Sequence, residues 1–275
     1  MHQNTGLRRN VIDKYYTKTS IVSLCMKNIT SVLQIDTNDC VIEPSAGGGA
    51  FIGALQSLSK HCYFYDIAPE NDAIVKQDFL SLDQSTAWDK YDKVHIIGNP
   101  PFGRQSSMAI KFIKKACGFG HSVSFILPKS FKKESLKRVF PANFHLLREI
   151  DIPCNAFLVD GAEHDVPCIM QIWLKRDYVR DVVCKLEPVH FTFVKKSEEP
   201  DISFRRVGVN AGKMSTDVDE KSEQSHYFIK FTNNRPLSEN LEQLSKITYA
   251  FDNTVGPKSI SKQELIAHFN PCLSV

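Results

Sequence analysis

Apolar positions along this chain come in two textures. Short unbroken runs, CVIE at 40–43, CYFYD at 62–66, VHIIG at 94–98 and SVSFIL at 122–127, read as strands covered on both faces. Between them, apolar residues recur at helical spacing and predict helices over 19–33, 51–58 and 106–116. In the third, Met108, Ala109, Phe112, Ile113 and Ala116 share one side while Lys111, Lys114 and Lys115 share the other. Another strand is predicted over VPCIMQIWL at 166–174. Strands alternating with helices predict an α/β fold with a mostly parallel sheet.

The texture changes after about residue 176. Short strands are predicted over 186–194, 202–209 and 227–231. Residues 208–225 hold almost no large apolar side chain and read as a long loop or disordered chain. Ser261, followed three residues later by Glu264, forms a helix-start signature ahead of Leu265, Ile266 and Phe269. Two parts are therefore expected, residues 1–180 and a small α+β extension over 181–275. The second reads as a recognition module, a dimer interface or a plain sheet extension.

With 275 residues, 42% apolar and 24% charged, the chain has the composition of a globular protein with a sizeable core. No stretch approaches a membrane span, and the opening MHQNTGLRRN lacks the apolar core of a secretory signal. Eight cysteines lie scattered without a C-x-x-C pair, which predicts thiols in a reducing, intracellular setting rather than disulfides or zinc.

Charge alters the picture. The net charge is only +3, yet residues 104–148 hold ten Lys and Arg against one Glu. That segment reads either as a solvated lysine-rich surface or as a face turned towards a polyanion. It begins directly after a glycine- and proline-rich strand end, and a second unusual turn lies upstream.

That upstream turn is Glu43-Pro44-Ser45-Ala46-Gly47-Gly48-Gly49-Ala50, between a predicted strand and a predicted helix. Ile52 stands where a dinucleotide fingerprint needs its third glycine, and the Gly-Lys-Ser/Thr of a P-loop is absent. Glu43 would repel a pyrophosphate but could pair with an amino group. The next strand ends on Asp66, placed to grip ribose hydroxyls, and Asp78-Phe79 offers a carboxylate and a ring to an adenine. A ligand with an ammonium, a ribose and an adenine but no phosphate is S-adenosylmethionine.

The strand at 94–98 runs into Asn99-Pro100-Pro101-Phe102. The ordered set YYTK, EPSAGGG, YDI, QDF and NPPF resembles the aminomethyltransferases that alkylate exocyclic amines. Its nearest likeness is to adenine-N6 DNA methyltransferases in which the cofactor motif precedes the catalytic tetrapeptide. The resemblance covers residues 10–175 and implies a Rossmann-like methyltransferase fold. It also implies that Tyr15, Tyr16, Thr17 and Lys18 cover the methionine end of the cofactor. Glu43, Pro44, Ser45, Ala46, Gly47, Gly49, Phe51, Asp66, Ile67, Asp78, Phe79 and Asn99 would complete the cofactor site.

The chemistry implied for the tetrapeptide suits its residues. An aromatic amine is a poor nucleophile because its lone pair is delocalised. Two acceptors aimed at its N–H bonds, the Asn99 side-chain oxygen and the Pro100 carbonyl, would stabilise the charge that develops at nitrogen. The paired prolines stop the strand and fix that carbonyl, while Phe102 offers a face for a planar base.

A duplex would present its base by flipping. Arg104, Lys111, Lys114, Lys129, Lys132 and Lys133 are then candidate phosphate contacts, and Phe157 either walls the base pocket or is a plain core residue. The expected partner is nucleic acid, DNA ahead of RNA. Methylation of protein glutamine and a non-catalytic binding subunit stand as the alternatives.

Overall fold

The computed structural model describes residues 15–83, 88–159, 161–181, 185–251 and 258–274. The opening decapeptide and Cys184 lie outside the described residues. The chain divides into two compact units, Met1–Val182 and Val183–Val275.

In the first unit, the elements in chain order are β1 (Tyr16–Thr17), α1 (Thr19–Thr30), β2 (Cys40–Glu43), α2 (Ile52–Gln56), β3 (His61–Asp66), β4 (Val75–Lys76) and β5 (Val94–Gly98). They continue with α3 (Ser107–Phe119), β6 (Ser122–Pro128), α4 (Glu134–Lys137), β7 (Phe144–Asp151), β8 (Phe157–Val159), β9 (Ala162–His164) and β10 (Cys168–Lys175). Seven strands form one sheet in the order β4-β3-β2-β5-β6-β10-β7. Pairings from β4 to β6 are parallel, and β10 is inserted antiparallel between β6 and β7. This is the mostly parallel, Rossmann-like α/β architecture that the alternating pattern predicts.

Successive strand side chains point to opposite faces, and both faces of this sheet are covered. Val41, Ile97 and Ile126 pack with Ile21, Val22, Cys25 and Ile29 of α1. Ile42, Ile96 and Phe125 pack on the other side with Ala109, Phe112 and Ile113 of α3. Because no face is left for water, every residue of β2, β5 and β6 is buried and apolar residues occupy both faces, which is why these strands are visible in the chain. Chain order reverses between β2 and β5, and the loops after these two strands diverge there. Such a switch point leaves a crevice at the C-terminal strand ends.

The second unit holds β11 (Phe191–Val194), β12 (Ile202–Arg205), β13 (Met214–Ser215), β14 (His226–Phe231), α5 (Leu237–Ser245) and α6 (Lys262–Leu273). Its antiparallel sheet runs β11-β14-β12-β13 and packs Phe191, Ile202, Phe204 and Ile229 against Leu244, Leu265, Ile266 and Phe269. The Ser261 signature closes as a reciprocal capping box. Glu264 N donates to Ser261 Oγ at 3.2 Å, and Ser261 N donates to Glu264 Oε2 at 2.7 Å. Three expectations change. The strand expected over 186–194 starts only at Phe191, beyond Pro188, the one expected over 202–209 ends at Arg205, and residues 208–225 are not plain loop but contribute β13.

Candidate active site

The turn after β2 is built by backbone hydrogen bonds to the next strand. Ala46 N donates to Tyr65 O at 2.8 Å, and Gly47 N donates to Asp66 Oδ2 at 2.8 Å. Asp66 Oδ1 accepts from Ala68 N at 2.8 Å, so this carboxylate orders both its own loop and the glycine turn. Gly47 sits at φ +53°, a left-handed conformation that glycine adopts without cost. Ser45 Oγ then donates to the main-chain oxygen of Asn99 at 3.2 Å, tying the glycine turn to the NPPF turn. At Gly98 a Cβ would lie 3.2 Å from Glu43 Cγ, so glycine here lets the two strand ends close on each other.

These turns enclose a cavity of about 260 Å³. Its wall includes Glu43, Pro44, Ser45, Ala46, Gly47, Phe51, Asp66, Ile67, Asp78, Phe79 and Asn99, with Tyr15, Tyr16 and Thr17 on the N-terminal side. Of the expected cofactor residues, only Lys18 and Gly49 lie off this wall. Lys18 instead forms an ion pair with Glu163 and ties its backbone N–H to Ala156 O at 3.1 Å. Gly49, at φ +87°, serves the turn itself. Leu80, Met108 and Phe112 complete the wall, and the sequence did not single them out for it. Met108 and Phe112 lie four residues apart on the apolar side of α3 and are indistinguishable by pattern from core.

Two oxygens on this wall are buried without a hydrogen-bond partner: Glu43 Oε2 and Asn99 Oδ1. Burial, reinforced by the negative charge of Asp66, pushes the Glu43 carboxyl up to about 8. Asn99 is oriented by its other atom, Nδ2 donating to Thr17 Oγ1 at 3.2 Å, so Oδ1 is left as an open acceptor. A buried acceptor without a donor costs about 1–3 kcal/mol, a cost normally offset by a ligand or water.

Around the cavity stand three acidic side chains, Asp66, Asp78 and Glu43, the last holding its proton to about pH 8, and no Lys, Arg or His among the described residues. Such a wall suits a cation and repels phosphate. The unpaired Glu43 oxygen, the apolar faces of Ile67, Phe79 and Phe112, and the acidic residues at the end of β3 and just past β4 are chemically compatible with a ligand such as S-adenosylmethionine.

Next to this cavity, and sharing Tyr15, Asn99 and Pro101 with it, is a smaller one of about 20 Å³ lined also by Pro100, Phe102, Phe157 and Val166. Phe157 is therefore both readings at once, a core residue 1% exposed and a wall of the space beside Asn99. Its ring meets Tyr15 edge-on at 6.2 Å, and Thr17 pairs opposite it in the β1–β8 ladder. The Tyr16 hydroxyl reaches across to the Glu70 carboxylate at 2.7 and 2.8 Å, a link no sequence pattern announces.

No protein-family model matches the chain, and a comparison with curated proteins finds no match. Among solved structures it is similar to a candidate RNA methyltransferase from Pyrococcus horikoshii. The identity is 16%, the match covers 63% of this chain and 93% of that one, and the TM-score is 0.47. A candidate class I S-adenosylmethionine-dependent methyltransferase from Listeria monocytogenes is 16% identical over 59% of this chain and 61% of that one, with a TM-score of 0.44. An rRNA methylase from Streptococcus thermophilus is 14% identical over 62% of this chain and 99% of that one, with a TM-score of 0.38. These likenesses concern the fold alone, which the strand order establishes by itself.

The basic segment is assembled differently from the expectation of an open phosphate-facing surface. Lys129 and Lys132 lie at the C-terminal sheet edge, but Asp151 takes both, at 3.6 and 2.9 Å. Those lysines in turn hold the Asp151 carboxyl below its usual range. Lys137 pairs with Glu149 at 3.4 Å and Glu134 at 3.7 Å. The field of this segment is thus partly cancelled by Glu134 within it and by Glu149 and Asp151 just past its end. Lys111 and Lys114 are exposed on α3, and Arg104 is exposed just past the NPPF turn, while Lys133 is half-buried.

The N-terminus of α3 is tied to the Phe102 carbonyl, which accepts from Met108 N at 3.2 Å and Ala109 N at 3.3 Å. To reach that position the chain holds Gln105 and Ser106 at φ +52° and +62°, a local strain of the kind found beside functional sites.

Proposed function

We propose that this protein transfers a methyl group from S-adenosylmethionine to the exocyclic N6 amine of adenine in nucleic acid, with DNA favoured, by direct displacement on a flipped-out base. The observation that carries the reading is the buried, partnerless Asn99 Oδ1, set on the same cavity wall as the buried, partnerless Glu43 Oε2. One is an acceptor waiting for an N–H, the other an acid group waiting for a cation.

When bound, S-adenosylmethionine supplies an electrophilic methyl carbon. Glu43 would hold the ammonium group, Asp66 the ribose hydroxyls and Asp78 the adenine amine, with Ile67 and Phe79 against the rings. Asn99 Oδ1 accepts one N–H of the substrate amine, and the Pro100 carbonyl accepts the other. Together they draw the nitrogen lone pair out of the ring and stabilise the positive charge that would grow on it as the N–C bond forms, the C–S bond breaks and S-adenosylhomocysteine leaves; one amine proton would then pass to water. Thr17 Oγ1 accepts from Asn99 Nδ2 at 3.2 Å, which leaves Oδ1 as the unpartnered atom of the amide. Phe102 and Phe157 flank the space beside Asn99 and would sandwich a planar base once that small cavity widens.

Glutamine methylation in a protein is favoured by one observation, the pairing of Lys129 and Lys132 with Asp151, since a protein substrate needs no phosphate-binding field. The experiment is transfer of labelled methyl to duplex DNA, single-stranded DNA, RNA and a glutamine-containing peptide in parallel. Label in N6-methyladenine supports the proposal; label in the peptide alone overturns it.

A further inference from the structure

The sheet of the second unit turns Ile202, Phe204, Tyr227 and Ile229 towards its two helices. Alternation therefore sends Ser203, Arg205, His226 and Lys230 to the opposite face. The segment expected to be plain loop folds back over that face. Ser203 Oγ donates to the main-chain oxygens of Ser215 and Asp217, both at 3.3 Å. A cleft of about 440 Å³ lies here.

Its wall carries Arg205, Lys213, Lys221 and His226 against a single carboxylate, Glu220. Lys221 is engaged by Asp217 at 3.1 Å, but neither Arg205 nor Lys213 has a carboxylate partner among the described residues. Arg205 is held in place from behind, Nε donating to Val207 O at 2.8 Å and Nη1 to Ser225 Oγ at 3.1 Å. Burial holds the His226 imidazole below its usual range, and the Arg205 and Lys221 charges push it the same way, so positive field converges on this spot. The remaining wall is hydroxyl and amide, from Ser203, Ser215, Ser222 and Asn210, and Met214 is its one large apolar side chain.

We propose that this cleft binds a phosphodiester group of nucleic acid, through Lys213 and Arg205, as a contact separate from the cavity at the glycine turn. Cations and hydroxyls suit a phosphate oxygen. No Phe, Tyr or Trp lies on this wall among the described residues, and its one ring, His226, sits among cations, so the contact is assigned to the backbone and not to sequence. The inference rests on nucleic acid being the substrate.

The test uses the full chain, a fluorescein-labelled duplex in two unrelated sequences, and sodium phosphate as a separate probe. Lys213 is exposed, so Lys213→Gln leaves the fold intact. The variant is expected to weaken duplex binding roughly three- to tenfold for both sequences and to lower the salt slope by about one. Duplex binding should also raise the His226 titration point seen by NMR, a shift a merely structural lysine would not control. Unchanged affinity and slope overturn the inference, and so does a His226 shift produced by sodium phosphate but not by duplex. A wild-type chain that transfers no methyl to adenine while the Lys213 effect persists would sink the proposed reaction and leave this contact standing.

Discussion

Glu43 offers the sharpest quantitative handle. In the folded chain its carboxyl is pushed to about 8 from an ordinary 4.5, by burial first and by Asp66 second. The unfolded chain therefore releases this proton near pH 4.5, and the folded chain retains it until about pH 8. Below 4.5 both states are protonated and the group contributes nothing to the pH dependence. Between the two values the unfolded state binds fewer protons, so stability falls by about 1.4 kcal/mol per pH unit. The fall ends above pH 8, after a total of about 5 kcal/mol for a shift of about 3.5 units.

Glu43→Gln removes this term while keeping the size of the side chain. Urea unfolding of wild type and variant from pH 4 to 9 isolates it, because the other titrations cancel in the difference. The chain's two tryptophans, Trp88 and Trp173, are both buried in the first unit, so their fluorescence reports the unfolding of that unit. The variant should gain on the wild type steadily from pH 5 to 8, and S-adenosylmethionine should restore the wild type by pairing with the ionised carboxylate. A difference between the two proteins that is flat with pH would refute the reasoning.

Three other perturbations have definite outcomes. Asp66→Ala removes the acceptor of Gly47 N and Ala68 N, and calorimetry should show cofactor affinity falling at least tenfold while duplex retention changes little. The double change Lys111→Glu with Lys114→Glu should weaken duplex binding and flatten its salt dependence more than Lys132→Glu, whose lysine is already held by Asp151; fluorescence anisotropy across a salt series compares them. Ser261→Ala breaks the capping box and should cost about 1 kcal/mol in the second unit, seen as earlier loss of helix signal on heating, with no effect on cofactor affinity.

What was legible in the chain follows from what covers each element. β2 and β5 are buried on both faces, so CVIE and VHIIG stand out as unbroken apolar runs, and their bounds match the expectation residue for residue. β7 escaped notice because it is a half-exposed edge strand whose FHLLREID carries His, Arg, Glu and Asp. β13 has only Met214 to mark it, and its pairing with Phe204 is a non-local fact that no window of sequence contains.

The same distinction divides the site. The glycine turn, Asp66, Asp78 and NPPF each announce themselves locally through a residue type that their backbone or chemistry requires. Met108 and Phe112 were hidden because a helix face that lines a cavity has the same periodicity as one that fills a core. The Tyr16–Glu70 link and the capture of Lys129 and Lys132 by Asp151 depend on which loops the fold brings together, and charge counted along the chain overestimated the free positive field.

The most direct test compares wild type with Asn99→Ala for labelled methyl incorporated into duplex DNA, with cofactor affinity measured on the same samples. The account predicts label in N6-methyladenine for the wild type and at least a hundredfold loss in the variant at nearly unchanged cofactor affinity. A variant that keeps its turnover, or a wild type whose label resides on another base or on a ring atom, would contradict it.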